Sequence, residues 1–151
     1  MSDHHATIRW EKSGAPWTYD SYTRDHVWVL EGGMAVDASA AKAYRGNPAR
    51  MNPEDALVAS LSSCHMLSFL AIACKRGFVV EAYEDDAVGT LARNGERRLA
   101  ITTVTLRPRV RFAAPPPSAE QIAEMHHEAH EQCFIANSVK TDVKVEPADA
   151  R

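Results

Sequence analysis

Cys64, Cys74 and Cys133 are the chain's three thiols, and what they can do depends on which of them can meet. A thiolate attacks electrophilic oxygen or sulfur, and two thiols in contact can cycle through a disulfide. Cys64 and Cys74 fall on one expected helix, ten residues apart. That spacing is about 15 Å of rise, far beyond the roughly 7 Å within which α-carbons can be bridged. Cys133 lies on a later element and is free to approach Cys64. Packing alone accounts for any single cysteine, because the free residue is among the most often buried, and Cys74 fits that description.

A second constellation is His126-His127-Glu128-Ala129-His130-Glu131-Gln132-Cys133. On a helix, residues four apart and then three further share a face, so His126, His130 and Cys133 would offer nitrogen and sulfur ligands to a metal such as zinc. The metalloprotease pattern, however, needs Glu directly after the first histidine of the pair, and Glu128 takes the second intervening position. The spacing therefore points to a solvated helix face, with zinc as the alternative. No glycine-rich phosphate loop and no G-x-S-x-G elbow occurs, so nucleotide binding and serine hydrolysis lack support.

These residues need elements to position them. Thr7 to Lys12 alternates with the two-residue period of a half-buried strand, Val27 to Leu30 makes a second, and Gly32-Gly33 turns the chain into Met34 to Val36. Ala38 to Met51 reads as loop, with a short helical turn around Ala41. Asn52 suits an N-cap, Pro53 a first helical turn, and Glu54 and Asp55 the positive end of the helix dipole. The helix runs to Lys75-Arg76-Gly77, cations followed by a glycine stop. Phe78 to Arg93 and Arg97 to Phe112 read as two long strands joined by a type I′ turn at Asn94-Gly95. Ser118 and Gln121 form a capping box for a second helix reaching about Gln132, with Ile122, Met125 and Ala129 on its apolar stripe. A last strand covers Val139 to Glu146. The order predicts an α+β fold, with helices packed on antiparallel sheets.

The 151 residues suffice for one domain, 1–151, and leave no room for another. Seventeen basic and twenty acidic side chains give a net charge of −3, so no basic field exists to collect nucleic acid. An odd, sparse set of cysteines and the absence of a secretory signal suit the cytoplasm. Ala56 to Cys74 holds nineteen residues without a formal charge, the length of a membrane span. Ser60, Ser62, Ser63, His65 and Ser68 would be costly there, so this stretch reads as the long buried central helix of a soluble protein, with no membrane partner. One small sheet covers only one side of such a helix, and a second copy of the chain would cover the other.

Asn52-Pro53-Glu54, then Ser62-Ser63-Cys64-His65-Met66 and the distant Cys133-Phe134-Ile135, in this order of elements, resemble the OsmC and organic hydroperoxide resistance family over nearly the whole chain. The resemblance implies a cytoplasmic, intertwined homodimer that reduces organic hydroperoxides with a cysteine pair and no cofactor. It makes Cys64 the peroxidatic cysteine, Cys133 the resolving one, and Glu54 the carboxylate holding an activating arginine. Arg24 fits the arginine position of one branch and Arg45 that of another; Arg24 is preferred. Better-known members carry proline where this chain has Phe134, and phenylalanine where it has His65.

That chemistry asks for these residue types. A free thiol near pKa 8.5 is mostly protonated at neutral pH, and Cys64 lies too far into its helix for the dipole to help, so an arginine has to supply the charge. Attack would leave a sulfenic acid that Cys133 converts to a disulfide, for an external dithiol to reduce; the resemblance implies a lipoyl protein. Met66, Phe69, Phe134 and Ile135 would flank the sulfurs as an apolar pocket. The rival expectation is a noncatalytic small-ligand or zinc-binding protein using His126, His130 and Cys133.

Overall fold

Residues 1–148 are described by the structure, a computed structural model. The chain divides into two units, Met1–Ala56 and Leu57–Arg151.

In the first unit, β1 (Ala6–Arg9), β2 (His26–Leu30) and β3 (Ala35–Ala38) form an antiparallel sheet in that order. Its register sets Ile8 opposite Trp28 and Trp28 opposite Val36, an apolar row across all three strands. β1 stops at Arg9, short of the expected Lys12. Gly32 and Gly33 both take positive φ, 83° and 84°, inside a 3-10 turn that reverses the chain. The loop beyond β3 contains the expected helical turn, a 3-10 turn at Lys42–Tyr44. It is closed by a bridge from Ala38 to Met51. Gly46 packs so closely that a Cβ would lie 1.5 Å from the Ala40 carbonyl oxygen.

Helix α1 (Pro53–Lys75) begins as its cap predicts, with the Asp55 N–H donating to Asn52 Oδ1 at 2.8 Å. It ends at Gly77, whose φ of 81° lets its N–H reach the Cys74 carbonyl while the Phe78 N–H reaches that of Ala73. Only Leu61, His65, Phe69, Ile72 and Ala73 of its 23 residues are buried. Their four- and three-residue spacing defines one covered face, so the helix is less enclosed than expected. By length and composition alone α1 could cross a membrane.

The second unit holds the rest. Each of the two expected long strands is broken in two: β4 (Val80–Asp85) and β5 (Val88–Arg93), then β6 (Leu99–Leu106) and β7 (Pro108–Phe112). Asp85 is the local cause, because its Oδ1 accepts the Arg107 N–H at 2.6 Å and takes that donor out of the ladder. β4 pairs with β7, while β5, β6 and β8 (Asp142–Val145) form a separate sheet. The β6–β8 pair is parallel, and β7 and helix α2 (Ala119–Gln132) supply the crossover that parallel pairing requires. The hairpin turn also differs. The Arg97 N–H donates to the Asn94 carbonyl, and Arg97 rather than Gly95 takes the positive φ, 63°. Asn94 Oδ1 accepts from the N–H groups of Glu96 and Arg98 and holds this longer turn.

Ser118 and Gln121 form the expected capping box of α2. Phe69, Ile72 and Ala73 of α1 meet Met125 and Ala129 of α2 in one core cluster, and Leu61 meets Val104 and Leu106 of β6 in another.

Candidate dithiol site

Cys64 stands near the middle of α1, half-buried, and Cys133 is the buried C-cap of α2. All three cysteines are free, and the Cys133 thiol lies close enough to that of Cys64 for the two to influence each other's ionisation. The Ala136 N–H donates to Cys133 Sγ at 3.4 Å. Burial is the main reason the Cys133 thiol is pushed up to about 11, with Cys64 adding to the rise and the Ala136 N–H opposing it. The pair that sequence spacing left free to meet does meet. Cys74 departs from expectation: it sits exposed in the last turn of α1 instead of packed.

The histidines depart further. His126 was expected on a solvated face, yet it is 3% exposed, and His65 is 1% exposed. His65 Nε2 and His126 Nδ1 are 3.1 Å apart in a hydrogen bond between α1 and α2. Both rings are held down to about 4: for His65 by burial and then by His130, with Asp85 opposing, and for His126 by burial and then His65. Imidazole in a dry site stays neutral because charging it forfeits hydration. His65 was visible in the sequence only as a polar residue in an uncharged run. The signal for its partner, a second histidine at the right depth, exists only in three dimensions.

This arrangement divides the zinc constellation. His126 Nδ1 is occupied by His65, and Cys133 faces Cys64. Among the described residues no group of three or more His, Cys, Asp or Glu side chains could hold a metal ion. Of the expected apolar pocket, Phe69 is a fully buried core residue, Ile135 packs against the Leu61 cluster, and Phe134 is 80% exposed.

Arg24 and Glu54 belong to the first unit. They line one pocket of about 680 Å³ there, together with Trp10, Trp17, Tyr22 and His26. Arg24 donates to the carbonyls of Tyr19 and Tyr22 and stacks 3.7 Å from the Tyr22 ring centre. Among the described residues Glu54 Oε2 is buried without a hydrogen-bond partner. Arg45, the other candidate, pairs with Asp20 at 2.7 Å.

The model of the OsmC-like protein family matches residues 46–148. An OsmC-like protein of unknown function from Vibrio cholerae is 44% identical, with a TM-score of 0.95 over 98% of this chain and 100% of its own. An organic hydroperoxide resistance protein OsmC from Legionella pneumophila shares the fold at 16% identity and a TM-score of 0.70, covering 100% of this chain and 98% of its own. The organic hydroperoxide resistance protein OhrB of Bacillus subtilis does so at 16% identity and a TM-score of 0.66, covering 97% and 98%. No curated protein matches the chain in sequence. The sequence match over two thirds of the chain and the near-superposition on the Vibrio protein lead to one assignment: the chain belongs to the OsmC-like protein family.

Proposed function

We propose that the chain is a thiol peroxidase that reduces organic hydroperoxides to alcohols. The observation that carries the reading is the contact between Cys64 and Cys133 at the meeting of α1 and α2; the hydroperoxide-resistance names of relatives with the same fold support it. The Cys64 thiolate attacks the terminal peroxide oxygen, the O–O bond breaks, and the departing alkoxide takes a proton to become the alcohol. Cys64 is left as a sulfenic acid. The Cys133 sulfur then displaces its hydroxyl, which leaves as water with the Cys133 proton, and a disulfide forms. An external dithiol, in our reading that of a lipoyl protein, reduces it in the cytoplasm.

Cumene hydroperoxide added at one equivalent is expected to consume the thiols of Cys64 and Cys133 and to spare Cys74. No loss of thiol would overturn the proposal. Arg24 is assigned as the cation that serves Cys64 in the attack on peroxide. Arg24→Met is therefore expected to slow alkylation of Cys64 by about tenfold. If Arg45→Met slows it instead, the role belongs to Arg45.

A homodimer is part of the proposal. Leu67 on α1 is 60% exposed, and a second copy of the chain is the occupant proposed for that uncovered face of the helix. Sedimentation at micromolar concentration should give twice the 16.6 kDa chain mass.

A further inference from the structure

The bond between His65 and His126 has a defined direction. The two ring centres are 5.4 Å apart with planes inclined by only 6°, and the bonded nitrogens take up 3.1 Å of that distance. The remainder matches two centre-to-nitrogen distances only when both centres and both nitrogens lie nearly on one line. This is an in-line N–H···N bond between neutral rings, one nitrogen donating and the other accepting. Phe69 stacks on His126 with ring centres 4.2 Å apart and fixes its plane.

Its place on the two helices matters. His65 directly follows Cys64 on α1, and His126 precedes Cys133 by seven residues, two turns along the same face of α2. Two consecutive residues of α1 therefore meet α2 at two points about 10 Å apart along its axis, and of these the histidine contact is the hydrogen bond. The apolar cluster of Phe69, Ile72, Ala73, Met125 and Ala129 also joins the helices, but apolar contact has no preferred direction. Arg76 reaches Glu124 and Glu128 from the end of α1, and such exposed pairs constrain little.

We propose that the His65–His126 hydrogen bond is a positioning element for the dithiol, pinning α2 so that Cys133 meets Cys64 at the approach from which the disulfide closes. The inference rests on the proposed use of Cys64 and Cys133 as a redox pair, but not on peroxide as the oxidant. Diamide makes the distinction, since its N=N bond takes up the two electrons and two protons released when two thiols join.

The test uses the full chain carrying Cys74→Ser, so that only the two site thiols react. His126→Phe keeps a ring beside Phe69 and loses both nitrogens; His126→Asn restores a polar group near the position of Nδ1. Closure by diamide is expected to slow ten- to a hundredfold in His126→Phe, the scale of a displacement near 1 Å. It should recover most of that rate in His126→Asn. In a Cys133→Ser background, alkylation of Cys64 should be unchanged by His126→Phe, which separates positioning from thiol reactivity. Wild-type closure in a folded His126→Phe protein would overturn the proposal. Should that variant fail to fold, His65→Gln, which keeps a group near Nε2, must close faster than His65→Leu, and equal rates would also overturn it. Slowed diamide closure in a chain that ignores hydroperoxides would leave the positioning role standing and remove the peroxidase. No closure in the parent protein would remove both.

Discussion

Cys64→Ser is expected to reduce hydroperoxide consumption to the uncatalysed background, a fall on the order of a thousandfold or more, as loss of a nucleophile commonly brings. A serine hydroxyl is not ionised at neutral pH and cannot replace the thiolate. Cys133→Ser should behave differently. Its Cys64 can attack once, after which the sulfenic acid has no thiol partner, persists, is trapped by dimedone, and advances to sulfinic acid under excess peroxide. In the native protein the lifetime of that intermediate should shorten as pH rises from 7 to 9. The Cys133 thiol is pushed up to about 11 by its burial, so its reactive fraction grows throughout that range. Cys74→Ser, at an exposed position, should turn over normally. Full activity in Cys64→Ser would end the mechanism.

Acid should loosen the second unit well before its carboxylates are protonated. His65 and His126 are held down to about 4 in the folded chain, against an ordinary value near 6.5. The folded state then binds fewer protons than the unfolded chain between those two values. The histidines' contribution is complete above about 6.5 and is lost progressively as pH falls, levelling off below about 4. A single histidine lowered this far corresponds to roughly 3 kcal/mol at the low end of that window, a large share of a typical stability of about 5–15 kcal/mol. The pair shares one hydrogen bond, so the two effects do not simply add. Urea midpoints followed by far-ultraviolet circular dichroism should fall between pH 7 and pH 5, and the slope should flatten in His126→Phe. A midpoint indifferent to pH across that window would contradict the burial of neutral imidazoles.

What could be read in advance followed the range of the interactions involved. Asn52 and Pro53 opening α1, and Ser118 with Gln121 opening α2, are local devices, and both appear as expected. The breaks at Asp85 and Arg107 were hidden because the Asp85 side chain reaches a backbone N–H 22 residues away. Gly95 was a sound guess for the turn, but the Asn94 side chain moved the positive φ to Arg97. At the site, helix rise excluded Cys74 as a partner for Cys64 and left Cys133 free to approach, while the pairing itself came from the family resemblance. Nothing in the spacing from 126 to 133 revealed that His126 turns inward, because its partner His65 is 61 residues away.

The aromatic cluster of the first unit gives the molecule two separate optical signatures. Trp10 and Trp17 lie with ring centres 5.5 Å apart, and Tyr22 stands 5.1 Å from Trp17. Trp28 also falls before residue 57, so all three tryptophans report from the first unit. The second unit has Tyr83 as its single tyrosine and no tryptophan. Emission excited at the tryptophan band thus follows residues 1–56, whereas a helix signal follows mainly residues 57–148, which hold most of α1 and all of α2. Transitions that coincide in both channels mean the two units melt as one cooperative body; transitions that separate mean that the N-terminal sheet can open while the dithiol remains assembled.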